Sequence, residues 1–182
     1  MKKIFAKTLK INKLIDKDID VMYGLFEKYY ENTDKDKFIS DLKDKTSVIL
    51  LKCKSKKNIV GFSTIKEVEI NVEGKKIRSI FSGDTIIDFG YRGQASFAIE
   101  FFKNIITHKL KSPFTPHYWF LISKGYKTYL ILTKNYCHYY PRHDQEIPLN
   151  EEKVLDALGK SFFGNDYNKE TKILKHTGKT DS

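Results

Sequence analysis

Ser79-Ile-Phe-Ser-Gly-Asp-Thr-Ile-Ile-Asp-Phe-Gly-Tyr-Arg-Gly-Gln-Ala-Ser96 is the stretch whose reading decides the fold of this chain. A β-rich run (Ile80, Phe81, Thr85, Ile86, Ile87) meets a short loop holding Gly90 and Arg92-Gly93-Gln94-Ala95, and a helical pattern follows at once. A strand, a tight glycine turn and a helix N-terminus place unpaired N–H groups and the positive end of a helix dipole at one point, where a phosphate can be held. Gly93 lets the backbone approach an anion closely, and Arg92 adds a fixed positive charge. The same turn also occurs as plain punctuation that binds nothing.

Working outward, residues 47–53, 59–72 and 77–88 read as three successive strands, with a polar turn at Lys54-Ser-Lys-Lys-Asn58 and a hairpin turn at Val72-Glu-Gly-Lys75. Upstream, residues 2–11 alternate as a first strand. Residues 18–31 carry apolar side chains at helical spacing, with Asp16 or Asp18 available as a cap, and residues 35–45 form a second short helix capped by Asp34. Downstream, residues 94–111 are the clearest helix, with Ala98, Phe101, Phe102, Ile105 and Ile106 as its apolar stripe and Pro113 ending the pattern. Residues 118–123 read as a buried strand, Lys124-Gly125 as a turn, 126–135 as either helix or strand, and 151–160 as a short helix opened by Asn150.

The loop, read as Ile87-Asp88-Phe89-Gly90-Tyr91-Arg92-Gly93-Gln94-Ala95, resembles the acyl-CoA-binding motif of the GNAT N-acetyltransferase superfamily, in which a hydrophobic strand ends in an Arg-Gly-x-Gly/Ala turn before a helix. Ala95 fits that pattern, whereas Gly90 stands where Gln or Arg is usual and Phe89 where Pro is common. The order of elements resembles the same superfamily as far as about residue 135. The resemblance implies a single-domain α/β fold, α+β in detail, with a mixed sheet flanked by helices. The domain would span 1–168, best matched over 1–140, with a polar tail over 169–182. Residues 142–182 show little of the β pattern with which such domains usually finish, so the C-terminal part is expected to be truncated, diverged or completed by a partner.

The implied activity is N-acyl transfer from acetyl-CoA, as co-substrate, to an amine acceptor. The resemblance assigns the backbone N–H groups of Arg92, Gly93, Gln94 and Ala95 to the CoA pyrophosphate, and the backbone of Ile86 and Ile87 to the pantetheine. A general base must deprotonate the acceptor ammonium, and Asp84, a carboxylate in the middle of a strand, is the first candidate. Buried there, it would need either a partner or a raised pKa. Glu67 and Glu69 are alternatives, and Asp88 reads as a loop-ordering residue. The departing thiolate needs an acid, and Tyr140 and Tyr139, in Asn135-Tyr-Cys-His-Tyr-Tyr-Pro141, lie in the region where the superfamily supplies one. With eleven tyrosines in the chain, either can equally be structural.

Composition bounds the alternatives. With 182 residues, 40% of them hydrophobic and 14% aromatic against 31% charged, the chain can bury one substantial core. No apolar run reaches membrane-spanning length, no membrane partner is expected, and two cysteines make no disulfide framework, which points to a cytoplasmic protein. Cys137-His138 with His143 lacks the spacing of a zinc site, so no metal is expected. The net charge of +10 suits a nucleic-acid binder, but the lysines are scattered and often beside Asp or Glu, so nucleic acid is not the expected partner. The rival readings are a non-catalytic module of the same fold that binds CoA or a protein, and a basic nucleic-acid-binding protein. A homodimer that completes the sheet is a further expectation.

Overall fold

Val48, Ile49, Leu50 and Leu51 are fully buried, and their alternation explains the architecture. Val48 and Leu50 point to one face of a sheet and Ile49 and Leu51 to the other, so both faces must be covered. In a computed structural model that describes residues 3–123 and 126–175, five strands form that sheet. They are β1 (Ile4–Lys10), β2 (Ser47–Cys53), β3 (Ile59–Val72), β4 (Lys75–Ile87) and β5 (His117–Leu121), side by side in that order. The first four are antiparallel and β5 runs parallel to β4.

Helices α1 (Asp16–Tyr29) and α2 (Lys35–Lys43) cover one face, placing Met22, Phe26, Phe38 and Leu42 against Val48, Leu50, Phe62 and Ile86. The Asp34 carboxylate accepts from the Lys37 N–H over 2.6 Å, the expected cap. Asp16 and Asp18 do not cap α1: its N-cap is Ile15, without a side-chain bond. Both aspartates lie inside the first turn, where they complement the dipole instead. Helix α3 (Ser96–Leu110) covers the opposite face, with Phe97, Phe101 and Ile105 against Ile49, Ile80 and Trp119. The expected stripe therefore splits, since Phe102 and Ile106 are exposed. Near the end of α3 the buried His108 lies with Nε2 3.3 Å from Glu67 Oε2.

Residues 126–135 resolve as a helix, α4 (Tyr126–Asn135). Among the described residues the C-terminal region adds no strand to the sheet. Helix α5 (Leu149–Phe163), which starts after Pro148 rather than on an Asn150 cap, lays Val154, Leu158 and Phe162 on Val68, Ile70, Val72 and Ile77 of the projecting β3–β4 hairpin. That hairpin turns at Glu73 and Gly74, both with positive φ (50° and 80°), the geometry that suits a two-residue hairpin loop. A small hairpin, β6 (Tyr167–Asn168) with β7 (Ile173–Leu174), follows. Part of the expected tail is thus structured, while its residues 176–182, like the turn at 124–125, fall outside the described residues. Among the described residues no helix is long and apolar enough to cross a membrane.

Candidate functional site

β4 parts from β5 before it ends. Pairing with β5 stops at Ser82–Leu121, while pairing with β3 continues to Ile87–Gly61. Between these limits the register shifts by one residue, so that Thr64 alone faces the pair Gly83-Asp84. Gly83 fits closely there, since a Cβ would stand 2.4 Å from Thr64 Oγ1 and force that side chain to shift. Residues 83–87 therefore keep one backbone edge free of β5. A cleft of about 390 Å³ opens on that edge, lined by Thr85, Ile86 and Ile87, by Tyr29 and Tyr30 from the end of α1, and by Arg92.

The loop after β4 is held by Asp88. Its carboxylate accepts from Lys28 Nζ (2.5 Å), the Tyr29 hydroxyl (2.7 Å) and the Phe89 N–H (3.1 Å). These bonds, that from Lys28 first, hold the Asp88 carboxyl below its ordinary 3.8. Asp88 thus orders the loop, as the sequence suggested. Its partners Lys28 and Tyr29 were not foreseen, because helical spacing marks Tyr29 only as an apolar-face residue.

Arg92 lies along the cleft. Its Nε donates to the Ile87 carbonyl over 2.9 Å, and its guanidinium stands 5.2 Å from the Tyr29 ring centroid and 5.6 Å from that of Phe89. Gly93 has φ 77°, the left-handed turn that a glycine adopts without strain. The Arg92 N–H donates back to the Phe89 carbonyl (3.4 Å), so that amide belongs to the turn. Among the described residues no carbonyl accepts from the Gly93 or Ala95 N–H, and no side chain caps the first turn of α3. The polar side chains beside that turn face elsewhere: Gln94 Oε1 accepts from the Ile4 N–H, and Ser96 Oγ donates to the Ile4 carbonyl. Both tie the start of α3 to β1 and leave its backbone donors open to an anion.

The remaining candidates are spread out. Asp84, in the bulge, is half-buried, and among the described residues no hydrogen-bond or ion-pair partner is seen for it. Glu67 is engaged with His108, and Glu69 with Lys76 and Arg78. Tyr139 packs on Tyr129 and under the Arg142 guanidinium, and the Tyr140 hydroxyl accepts from Gln145 at 3.4 Å. Neither tyrosine lines the cleft. Tyr136, in the same stretch, differs from both. Its ring lies 5.3 Å from that of Trp119, whose indole N–H donates to Ser82, the last β4 residue paired with β5. The Tyr136 hydroxyl is buried without a partner among the described residues, and burial pushes its pKa up. Cys137 is exposed, and among the described residues no group of three His, Cys, Asp or Glu side chains could hold a metal.

No protein-family model matches the chain, and no curated protein matches it significantly. Solved structures do. An aminoglycoside N-acetyltransferase in complex with CoA superposes with TM-score 0.57 at 9% identity, over 82% of this chain and 97% of that one. A ribosomal-protein-alanine N-acetyltransferase from Brucella melitensis gives 0.54 at 11% identity, over 80% and 100%. Glucosamine-6-phosphate N-acetyltransferase from Arabidopsis thaliana gives 0.52 at 9%, over 81% and 100%. At such identities the likeness is one of fold. The mixed five-stranded sheet flanked by helices is thus the fold that these acetyltransferases share.

Proposed function

We propose that this protein is an acyl-CoA-dependent N-acyltransferase, with acetyl-CoA as donor and an amine as acceptor. The observation that carries the reading is the open edge of β4 at residues 83–87, followed through the short turn at Phe89–Tyr91 by the Gly93 turn and a start of α3 that no side chain caps among the described residues. An extended amide-bearing arm can pair with such an edge while its pyrophosphate meets the Gly93 and Ala95 N–H groups and those of Gln94 and the first turn. The backbone of Ile86 and Ile87 would take the pantetheine, and Arg92 would turn from Ile87 to the phosphates.

In the reaction the acceptor nitrogen attacks the thioester carbonyl carbon. The N–C bond forms, the C–S bond breaks, and the thiolate leaves with a proton. Asp84 is the proposed base, since it stands in the bulge and no partner holds it among the described residues. For the acid, Tyr136 joins Tyr140 and Tyr139 as a candidate, because its hydroxyl, without a partner among the described residues, lies through Trp119 next to the point where β4 and β5 part. Positioning on the sheet would supply much of the rate. The acceptor amine and a cytoplasmic location belong to the same proposal.

One observation favours a second reading. Among the described residues the sheet ends at β5, and α5 covers the hairpin instead of adding a strand, so the wall that an acceptor would meet is built from a helix there. A module that binds CoA without turnover fits that architecture. Release of free thiol from acetyl-CoA over a panel of amines separates the two. Amine-dependent release that falls at least a hundredfold in Asp84→Asn supports the enzyme. Binding without release under any acceptor supports the module.

A further inference from the structure

Helix α3 turns an apolar stripe away from the protein. Ile99, Phe102, Ile106 and Leu110 are 54, 44, 58 and 72% exposed, and Phe114, in the turn beyond the helix, is 99% exposed. At about 100° per residue the four helical positions fall within an arc of about 80°. Lys103 lies at one border of that arc and Lys109 at the other. The only carboxylate of the helix, Glu100, accepts through Oε1 from the Thr8 hydroxyl (2.8 Å) and the Thr8 N–H (3.0 Å) of β1, and its Oε2 lies 3.9 Å from Nζ of Lys103, which stays largely exposed. The following turn, Lys111-Ser-Pro-Phe-Thr-Pro116, carries one more lysine and no acid. Lys109 Nζ donates to the Thr115 carbonyl over 2.9 Å, which ties the end of the helix to the turn bearing Phe114.

We infer that this face of α3 docks on an anionic lipid surface, with Ile99, Phe102, Ile106, Leu110 and Phe114 entering the interface and Lys103, Lys109 and Lys111 meeting the headgroups. An apolar stripe bordered on both sides by cations, on a chain of net charge +10, is the pattern of a helix lying in a membrane interface. It is distinct from a membrane-spanning segment, which the sequence sets aside. The stripe is convex, with a single fully exposed aromatic ring at its tip, and suits a planar, deformable partner. A second copy fits less well. Antiparallel pairing would bring the bordering lysines of two +10 chains together, with Glu100, already bonded to Thr8, as the one carboxylate of each helix.

The test is co-sedimentation of the full chain with phosphatidylcholine vesicles and with vesicles containing one quarter phosphatidylglycerol. The expected result is binding to the second kind only, weakened at least tenfold by the Ile106→Asp, Leu110→Asp pair and by the Lys103→Glu, Lys109→Glu pair. All four positions are on the outer face, and circular dichroism checks the fold. Phe114→Ser, at a position wholly outside the core, is a second apolar variant and should weaken binding several-fold by itself. Three results would overturn the inference. One is no sedimentation with anionic vesicles, and another is binding that both apolar variants leave unchanged, which marks simple adsorption of a basic protein. The third is a dimeric mass in light scattering that becomes monomeric in the Ile106→Asp, Leu110→Asp variant, which assigns the stripe to a second copy.

Discussion

Arg92 Nε donates to the carbonyl of Ile87 across 2.9 Å, so the arginine of the glycine loop is latched to the open edge of β4. In the proposed complex the same edge and the same guanidinium are both needed by the ligand. Arg92→Ala should cost about 1 kcal/mol of stability or less, because the side chain is exposed. It should weaken acetyl-CoA binding at least tenfold by titration calorimetry, with Arg92→Lys in between. Unchanged affinity in Arg92→Ala would remove this residue from the binding site.

Asp88 joins the loop to α1 through Lys28 and Tyr29. Its folded-state pKa lies below 3.8, so its contribution is complete above that value and is lost as the pH falls through the folded pKa. Asp88→Asn should lower the melting temperature by about 2–4 °C at neutral pH, equivalent to about 1 kcal/mol for a domain of this size. The difference between parent and variant should shrink below pH 3.8. Melting curves over pH 2.5–7 check both parts, and a difference that persists undiminished at the acid end contradicts the assignment.

His108 has linkage of the same sign, in a higher pH window. Burial, with Arg78, His117 and Lys111 adding to it and Glu67 opposing, keeps its folded-state pKa below 6.5. The unfolded chain therefore takes up a proton that the folded chain refuses, and stability declines as the pH falls from 6.5 toward the folded value. The slope from this group is at most about 1.4 kcal/mol per pH unit. Denaturant midpoints between pH 5 and 8 should fall on the acid side in the parent, and His108→Gln should flatten that portion of the curve. An equal slope in the variant would place the titration elsewhere.

Much of this fold was legible in the sequence because its signals are local. β2 and β3 begin and end where their β-branched runs do, Asp34 caps α2, and Glu73-Gly74 turns the hairpin. The glycine loop was legible for the same reason, since Gly93 answers a backbone requirement that only a few neighbours set. What failed depends on distance. The α3 pattern could not tell which apolar residues meet the sheet, and Phe102 and Ile106 proved to face outward. Lys28 and Tyr29 reach Asp88 from 60 and 59 residues away, with no spacing to announce it. Tyr136 is set apart from Tyr139 and Tyr140 only by its contact with Trp119, which sequence cannot supply.

Gly61 lets β3 and β4 approach at the cleft, since a Cβ there would stand 2.7 Å from the Ile86 carbonyl oxygen and 3.1 Å from Ile87 Cα. Both are backbone atoms and cannot swing aside. Gly61→Ala should destabilise the protein by about 1–3 kcal/mol and displace the strand edge that the donor would use. Denaturant unfolding with a parallel acetyl-CoA titration is the check. Wild-type stability in this variant would mean that β4 has slack where the structure shows none.

The most direct test of the account is the melting temperature of the parent chain with and without acetyl-CoA, beside an Arg92→Ala, Gly93→Asp variant. Ligand at about a hundred times its dissociation constant should add roughly 2.7 kcal/mol, a rise of about 5–10 °C for a domain of this size. The account predicts that rise in the parent and its loss in a folded variant. A well-folded parent whose melting temperature does not move with saturating acetyl-CoA would contradict it.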